Sequence, residues 1–66
     1  MIRINGAERT LTARNVAGLV EQLGYENDGR GIAVAVNGQV VPRSAWDART
    51  LQAGDEIEIV GAVQGG

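Results

Sequence analysis

The sequence predicts an α+β domain, with one helix laid across one face of a mixed sheet of about five strands in the order β-β-α-β-β-β. Three observations predict it. Asn5-Gly6 and Asn37-Gly38 each sit between alternating apolar runs, the strongest short-range hairpin signal, because both central positions of a type I′ turn need positive φ. Between the hairpins, Val16, Leu19, Val20 and Leu23 recur at i, i+3, i+4 and i+7, one stripe of a helix. Glu56 to Val60 then alternates again, with Ile57 and Ile59 expected inward and Glu56 and Glu58 outward.

Met1 to Asn5 alternates, with Ile2 and Ile4 on one face, and Glu8 to Leu11 is expected to be the return strand. Asn15 reads as the helix N-cap, its side chain accepting from an otherwise orphaned N–H. Gly24 stands where a left-handed C-cap is expected. Gly18 weakens the helix by roughly 1 kcal/mol relative to alanine, so packing of the apolar stripe on a sheet must hold it. Asn27 to Gly31 is polar and glycine-rich, hence a loop. Ile32, Val34 and Val36 share one face of the next strand, and Ala33 and Ala35 share the other. Gln39 to Val41 returns, and Pro42 stops the ladder because it has no N–H. Pro42 to Ala48 is short and irregular, with room for one helical turn. Trp46 is expected there as a half-buried lid over one end of the core. Ala53-Gly54-Asp55 is a turn. The helix is the crossover that lets the later strands return beside the first, which is the β-grasp arrangement.

The chain has 66 residues and neither Cys nor His. One domain of this size has a small core, here without disulfides, and without the usual ligands of a structural zinc. Its stability must come from regular secondary structure and aliphatic packing, for which 44% hydrophobic residues suffice. Residues 1–62 are expected to form the domain and 63–66 a flexible tail ending in Gly-Gly. The formal net charge is −2, and all six basic residues are scattered arginines. That excludes the concentrated basic face that nucleic acid requires. No apolar run approaches the roughly 20 residues of a membrane span, and no signal peptide is expected. The expected compartment is the cytosol, and the free chain is expected to be a monomer. No lysine is present, so an acyl group activated at the terminus would find only the N-terminal amine on its own chain.

No catalytic constellation is visible. The usual nucleophiles and general bases are missing without His and Cys, and Ser44 is the only serine, with no base identifiable beside it. Glu56 and Glu58 read as a solvated strand face that blunts self-association. Asp28-Gly29-Arg30-Gly31 lacks the spacing and lysine of a phosphate-binding loop. No metal and no bound cofactor are expected.

The ending, Ala62-Val63-Gln64-Gly65-Gly66, is different, because it follows the last strand of a β-grasp pattern directly. A terminal carboxylate, with a pKa of about 3.5, is ionised at neutral pH and is a poor electrophile. An activating enzyme would have to bring it beside ATP and form a mixed anhydride with AMP. Glycine has no Cβ, so the backbone can pass a narrow channel and its carbonyl stays open to attack. Ordering the tail costs roughly 1–2 kcal/mol per residue, and docking of the globular body must offset it. Ala33 and Ala35 offer a candidate docking patch, shallow and apolar, on the face that the helix leaves open.

The stretches Asn37-Gly38-Gln39-Val40-Val41-Pro42-Arg43-Ser44-Ala45-Trp46 and Leu51 to Gly66 resemble the bacterial thiamine-biosynthesis sulfur carriers, which are ubiquitin-like β-grasp proteins. The resemblance spans essentially the whole chain, and "Val-Pro-Arg-Ser-x-Trp" and "Ala-Val-Gln-Gly-Gly" are its most specific parts. It implies a carrier and not an enzyme. A partner adenylating sulfur-transfer enzyme would use ATP to activate Gly66. A persulfide sulfur would replace AMP, and the resulting thiocarboxylate would donate sulfur to thiazole synthase. Gly66 would then be the modified residue, Gly65 its required neighbour, and Gln64 and Val63 the segment that partners grip.

Four other readings share parts of this pattern. The small subunit of molybdopterin synthase has the same fold and terminal chemistry, but its members are usually longer and carry prolines before the terminal stretch, whereas Pro42 is the only proline here. Other sulfur carriers serve amino-acid or RNA thiolation. A ubiquitin-like modifier would appear as lysine-linked conjugates, and a plain interaction domain would be indifferent to loss of Gly65 and Gly66.

Overall fold

The computed structural model describes residues 1–25 and 31–61. Five strands form one sheet: β1 (Ile2–Ile4), β2 (Ala7–Arg9), β3 (Ile32–Val36), β4 (Gln39–Val41) and β5 (Glu56–Gly61). One helix, α1 (Val16–Gln22), and one 3-10 turn, Arg43–Ala45, complete the fold. The strand order is β2-β1-β5-β3-β4. β1 and β5 are parallel neighbours, and the β1–β2, β3–β4 and β3–β5 pairs are antiparallel. The element order β-β-α-β-β-β is therefore as expected.

Both hairpins close through two-residue turns. Asn5 and Asn37 each take φ 52°, and Gly6 and Gly38 take φ 86° and 83°, the doubly left-handed backbone of a type I′ turn. Closure at Ile4 opposite Ala7 starts the return strand one residue earlier than expected. It ends at Arg9 because β1 offers no partner beyond Ile2. Leu11 lies outside the strand and packs, half-buried, against the core.

Asn15 caps the helix, its Oδ1 accepting from Gly18 N–H at 2.8 Å. A Cβ on Gly18 would sit 3.1 Å from that oxygen, so the glycine that weakens the helix also leaves room for its cap. At the other end Gly24 N–H donates to Glu21 C=O and Tyr25 N–H to Val20 C=O, with Gly24 at φ 90°. This pair of bonds is the Schellman ending. Val16, Leu19 and Val20 are buried and Leu23 is partly buried, packed on a core that includes Ile2, Ile4, Val34, Val36, Ile57 and Ile59.

Trp46 corrects one expectation. It is only 2% exposed and belongs to the core, not to a half-buried lid. The 3-10 turn folds it inward, and its indole N–H donates to Val41 C=O at 2.9 Å, meeting the need of a buried indole for a partner. The Arg43 guanidinium lies 5.0 Å from the ring centroid, within cation–π range. Backbone carbonyls of the same segment serve the helix start: Trp46 C=O accepts from Ala17 N–H and Arg49 C=O from Val16 N–H. The segment thus acts as a second cap and carries Leu51 into the core. The turn before β5 is as expected, with Gly54 at φ 91° and its N–H donating to Met1 C=O at 2.7 Å.

Candidate functional site

β5 is the strand that leads into the C-terminal residues. It lies between β1 and β3 near the middle of the sheet. Ile57 and Ile59 face the helix and are buried, while Glu56, Glu58 and Val60 face outward and are exposed. Gly66, Gly65, Gln64 and Val63, the sequence-predicted site, lie outside the described residues, as do Ala62, the 62/63 domain boundary and most of the loop 27–31.

The expected docking patch is within the described part. Ala33 and Ala35 lie on the sheet face away from the helix, Ala33 exposed and Ala35 partly so. Their neighbours enlarge the patch. Ala33 stands opposite Val60, and Ala35 is flanked by Val40 on one side and Glu58 on the other. Val60 is 62% exposed and Val40 74%, so both branched side chains stand in solvent. Sequence reasoning missed these two. The signal for Val60 was the outward register Glu56, Glu58, Val60. For Val40 it was the two-residue hairpin, which places it across from Ala35.

The outer face is polarised along the strands. Its apolar end, Val60 and Ala33, lies next to Gly61, where β5 ends. The other end is charged, with Glu8 opposite Arg3 and Arg3 beside Glu56. Charged side chains are not buried anywhere among the described residues. Nor do any three of their carboxylates gather where a metal ion could be held. The arrangement is suited to contact: an apolar surface, acidic residues beside it, and a strand that carries the chain past both.

A five-stranded mixed sheet crossed by one helix, with its first and last strands parallel at the centre, defines a ubiquitin-like β-grasp protein. The family model described as the ThiS family matches residues 2–66, and the chain belongs to that family. It is 32% identical over 66 residues to the sulfur carrier protein ThiS of Thermus thermophilus, covering 100% of both chains. It is 35% identical over 60 residues to the sulfur carrier protein ThiS of Escherichia coli, covering 91% of this chain and 88% of that one. A thiazole synthase of Paramagnetospirillum magneticum is 39% identical over 64 residues, covering 96% of this chain. The match spans only 19% of that longer protein. Among solved structures, the crystal structure of the thiamine biosynthesis protein ThiS from Geobacter metallireducens superposes with a TM-score of 0.81 at 31% identity, covering 98% of this chain and 97% of that one.

Proposed function

We propose that this chain is a sulfur carrier of thiamine biosynthesis and works as a protein cosubstrate of partner enzymes in the cytosol. The observation that carries the proposal is the family match, which runs to residue 66 and so takes in Gly65-Gly66. The absence of His and Cys from the sequence supports a carrier over a catalyst. Among the described residues no helix is long and apolar enough to cross a membrane.

The chemistry runs through the Gly66 carboxylate. One of its oxygens attacks the α-phosphorus of ATP held by an adenylating partner, releasing pyrophosphate. The terminal sulfur of a persulfide attacks the acyl carbon, and AMP departs with the activated oxygen. Cleavage of the S–S bond by a thiol leaves the thiocarboxylate on Gly66. Thiazole synthase takes the sulfur. A thiazole synthase that contains a segment resembling this whole chain supports that choice of acceptor. The relatives named as ThiS support thiamine synthesis over molybdopterin synthesis as the pathway.

The outer sheet face docks the body on the adenylating partner, through Ala33, Ala35, Val40 and Val60. The partner surface that fits is apolar with basic groups opposite Glu56 and Glu58. The test is pyrophosphate exchange into ATP by an adenylating enzyme of this pathway. Exchange that depends on this chain and disappears when Gly66 is deleted is expected. Exchange that survives the deletion would overturn the role of Gly66.

A further inference from the structure

β1 runs out before β5 does. Its backbone holds β5 through Arg3 N–H to Asp55 C=O at 3.0 Å and Asn5 N–H to Ile57 C=O at 2.9 Å. The chain then turns away at Asn5-Gly6. The next β5 residue facing that side is Ile59, whose N–H and C=O would otherwise lack a strand partner. The Asn5 side chain takes the missing strand's place. Its Oδ1 accepts from Ile59 N–H at 2.9 Å and its Nδ2 donates to Ile59 C=O at 3.1 Å. A primary amide presents the same donor and acceptor as a peptide group, and asparagine also tolerates the left-handed φ of 52° that aims it there.

Among the described residues, nothing from the β1 side hydrogen-bonds to β5 beyond Ile59. Val60 is paired with Ala33 of β3, while Gly61 stands opposite Ile32 with its own backbone groups turned to the β1 side. Among the described residues Ile59 is therefore the last point at which β5 is held from the β1 side, seven residues before Gly66.

We propose that Asn5 is a positioning residue for the acyl-activation step: by gripping Ile59 it fixes the base from which the C-terminal residues reach a partner's active site. This rests on the sulfur-carrier reading above. Without the grip, the end of β5 opens more often. The body still docks through the sheet face, but the carboxylate is presented correctly in fewer of the docked complexes. Misplacement of about 1 Å can lower a rate by up to about a hundredfold.

The second hairpin supplies a matched control. Asn37, also at φ 52°, accepts from Glu56 N–H at 2.9 Å and donates to the Asp55 carboxylate at 3.0 Å. It grips β5 at the opposite end. Asn5→Gly and Asn37→Gly each remove an amide grip while keeping a turn-compatible residue. Both variants are compared at a temperature at which circular dichroism shows them folded. The readouts are adenylation by the partner enzyme and amide exchange at Ile59 to Gly61. For Asn5→Gly we expect kcat to fall about tenfold with KM within about twofold, because body docking is untouched, and faster exchange at Ile59, whose N–H loses its acceptor. Asn37→Gly should keep wild-type kcat. Equal kcat for the two variants, or a loss confined to KM, overturns the role of Asn5. Failure of the wild-type chain to be adenylated overturns the carrier reading itself, and the role of Asn5 with it.

Discussion

Ala33 stands directly opposite Val60 in the β3–β5 register, on the sheet face away from the helix and next to the end of the strand that carries the C-terminal residues. In the proposed carrier, a contact surface beside the chain's exit would offset the entropy of threading a glycine-rich end into an enzyme. Each residue that becomes fixed costs roughly 1–2 kcal/mol, and an apolar patch desolvated on docking supplies a compensating gain of about 25 cal/mol per Å².

Val60→Arg and Ala35→Arg are expected to weaken binding to the adenylating partner by about tenfold or more, equivalent to about 1.4 kcal/mol. A guanidinium pressed into an apolar contact lacks a partner. Both positions face solvent or nearly so in the free chain, so thermal stability should change little. Titration calorimetry with the partner, beside thermal melts, separates the two effects. Unchanged affinity for both variants would count against the patch.

Trp46→Ala is expected to remove about 3–5 kcal/mol, which is on the order of the whole net stability of a domain this size. The variant should be largely unfolded at room temperature by circular dichroism. Trp46→Phe keeps most of the volume but leaves the Val41 carbonyl without its indole donor. It should fold with a lower denaturation midpoint. A Trp46→Ala chain as stable as wild type would contradict the buried placement.

At the helix start two effects oppose each other. Alanine at position 18 gains roughly 1 kcal/mol of helix propensity over glycine. Its Cβ, however, would press on the Asn15 Oδ1 at 3.1 Å, and loss of such a cap costs about 0.5–2 kcal/mol. Gly18→Ala is therefore expected to leave the melting temperature level or lower it. Asn15→Ala should lower it by about 4–8 °C per kcal/mol lost. A clear rise for Gly18→Ala would show that the cap moves aside freely.

Much of this fold was legible because its signals are local. Asn-Gly turns, the stripe Val16, Leu19, Val20, Leu23 and the alternation of Glu56 to Val60 each depend on neighbours within a few residues. What sequence reading missed depends on tertiary placement. Trp46 looked like a lid because no residue pattern shows that the 3-10 turn folds its ring into the core, where its indole N–H meets the Val41 carbonyl. Asn5 read only as a turn residue, since its partner Ile59 lies 54 positions away. Val60 joined Ala33 only once the strand order put β5 beside β3. The reading of Gly65-Gly66 rests on a different signal, the resemblance of the terminal stretch to a family, and stays a proposal.

The central claim is that sulfur travels on Gly66. Intact-protein mass spectrometry tests it most directly, after incubation of the chain with the adenylating enzyme, ATP and a persulfide donor, beside a variant lacking Gly66. The account predicts a mass increase equal to exchange of one oxygen for sulfur, localised to Gly66 by fragmentation and absent from the variant. An unchanged mass with a partner that is demonstrably active on its own carrier, or the same increase in the variant, would contradict it.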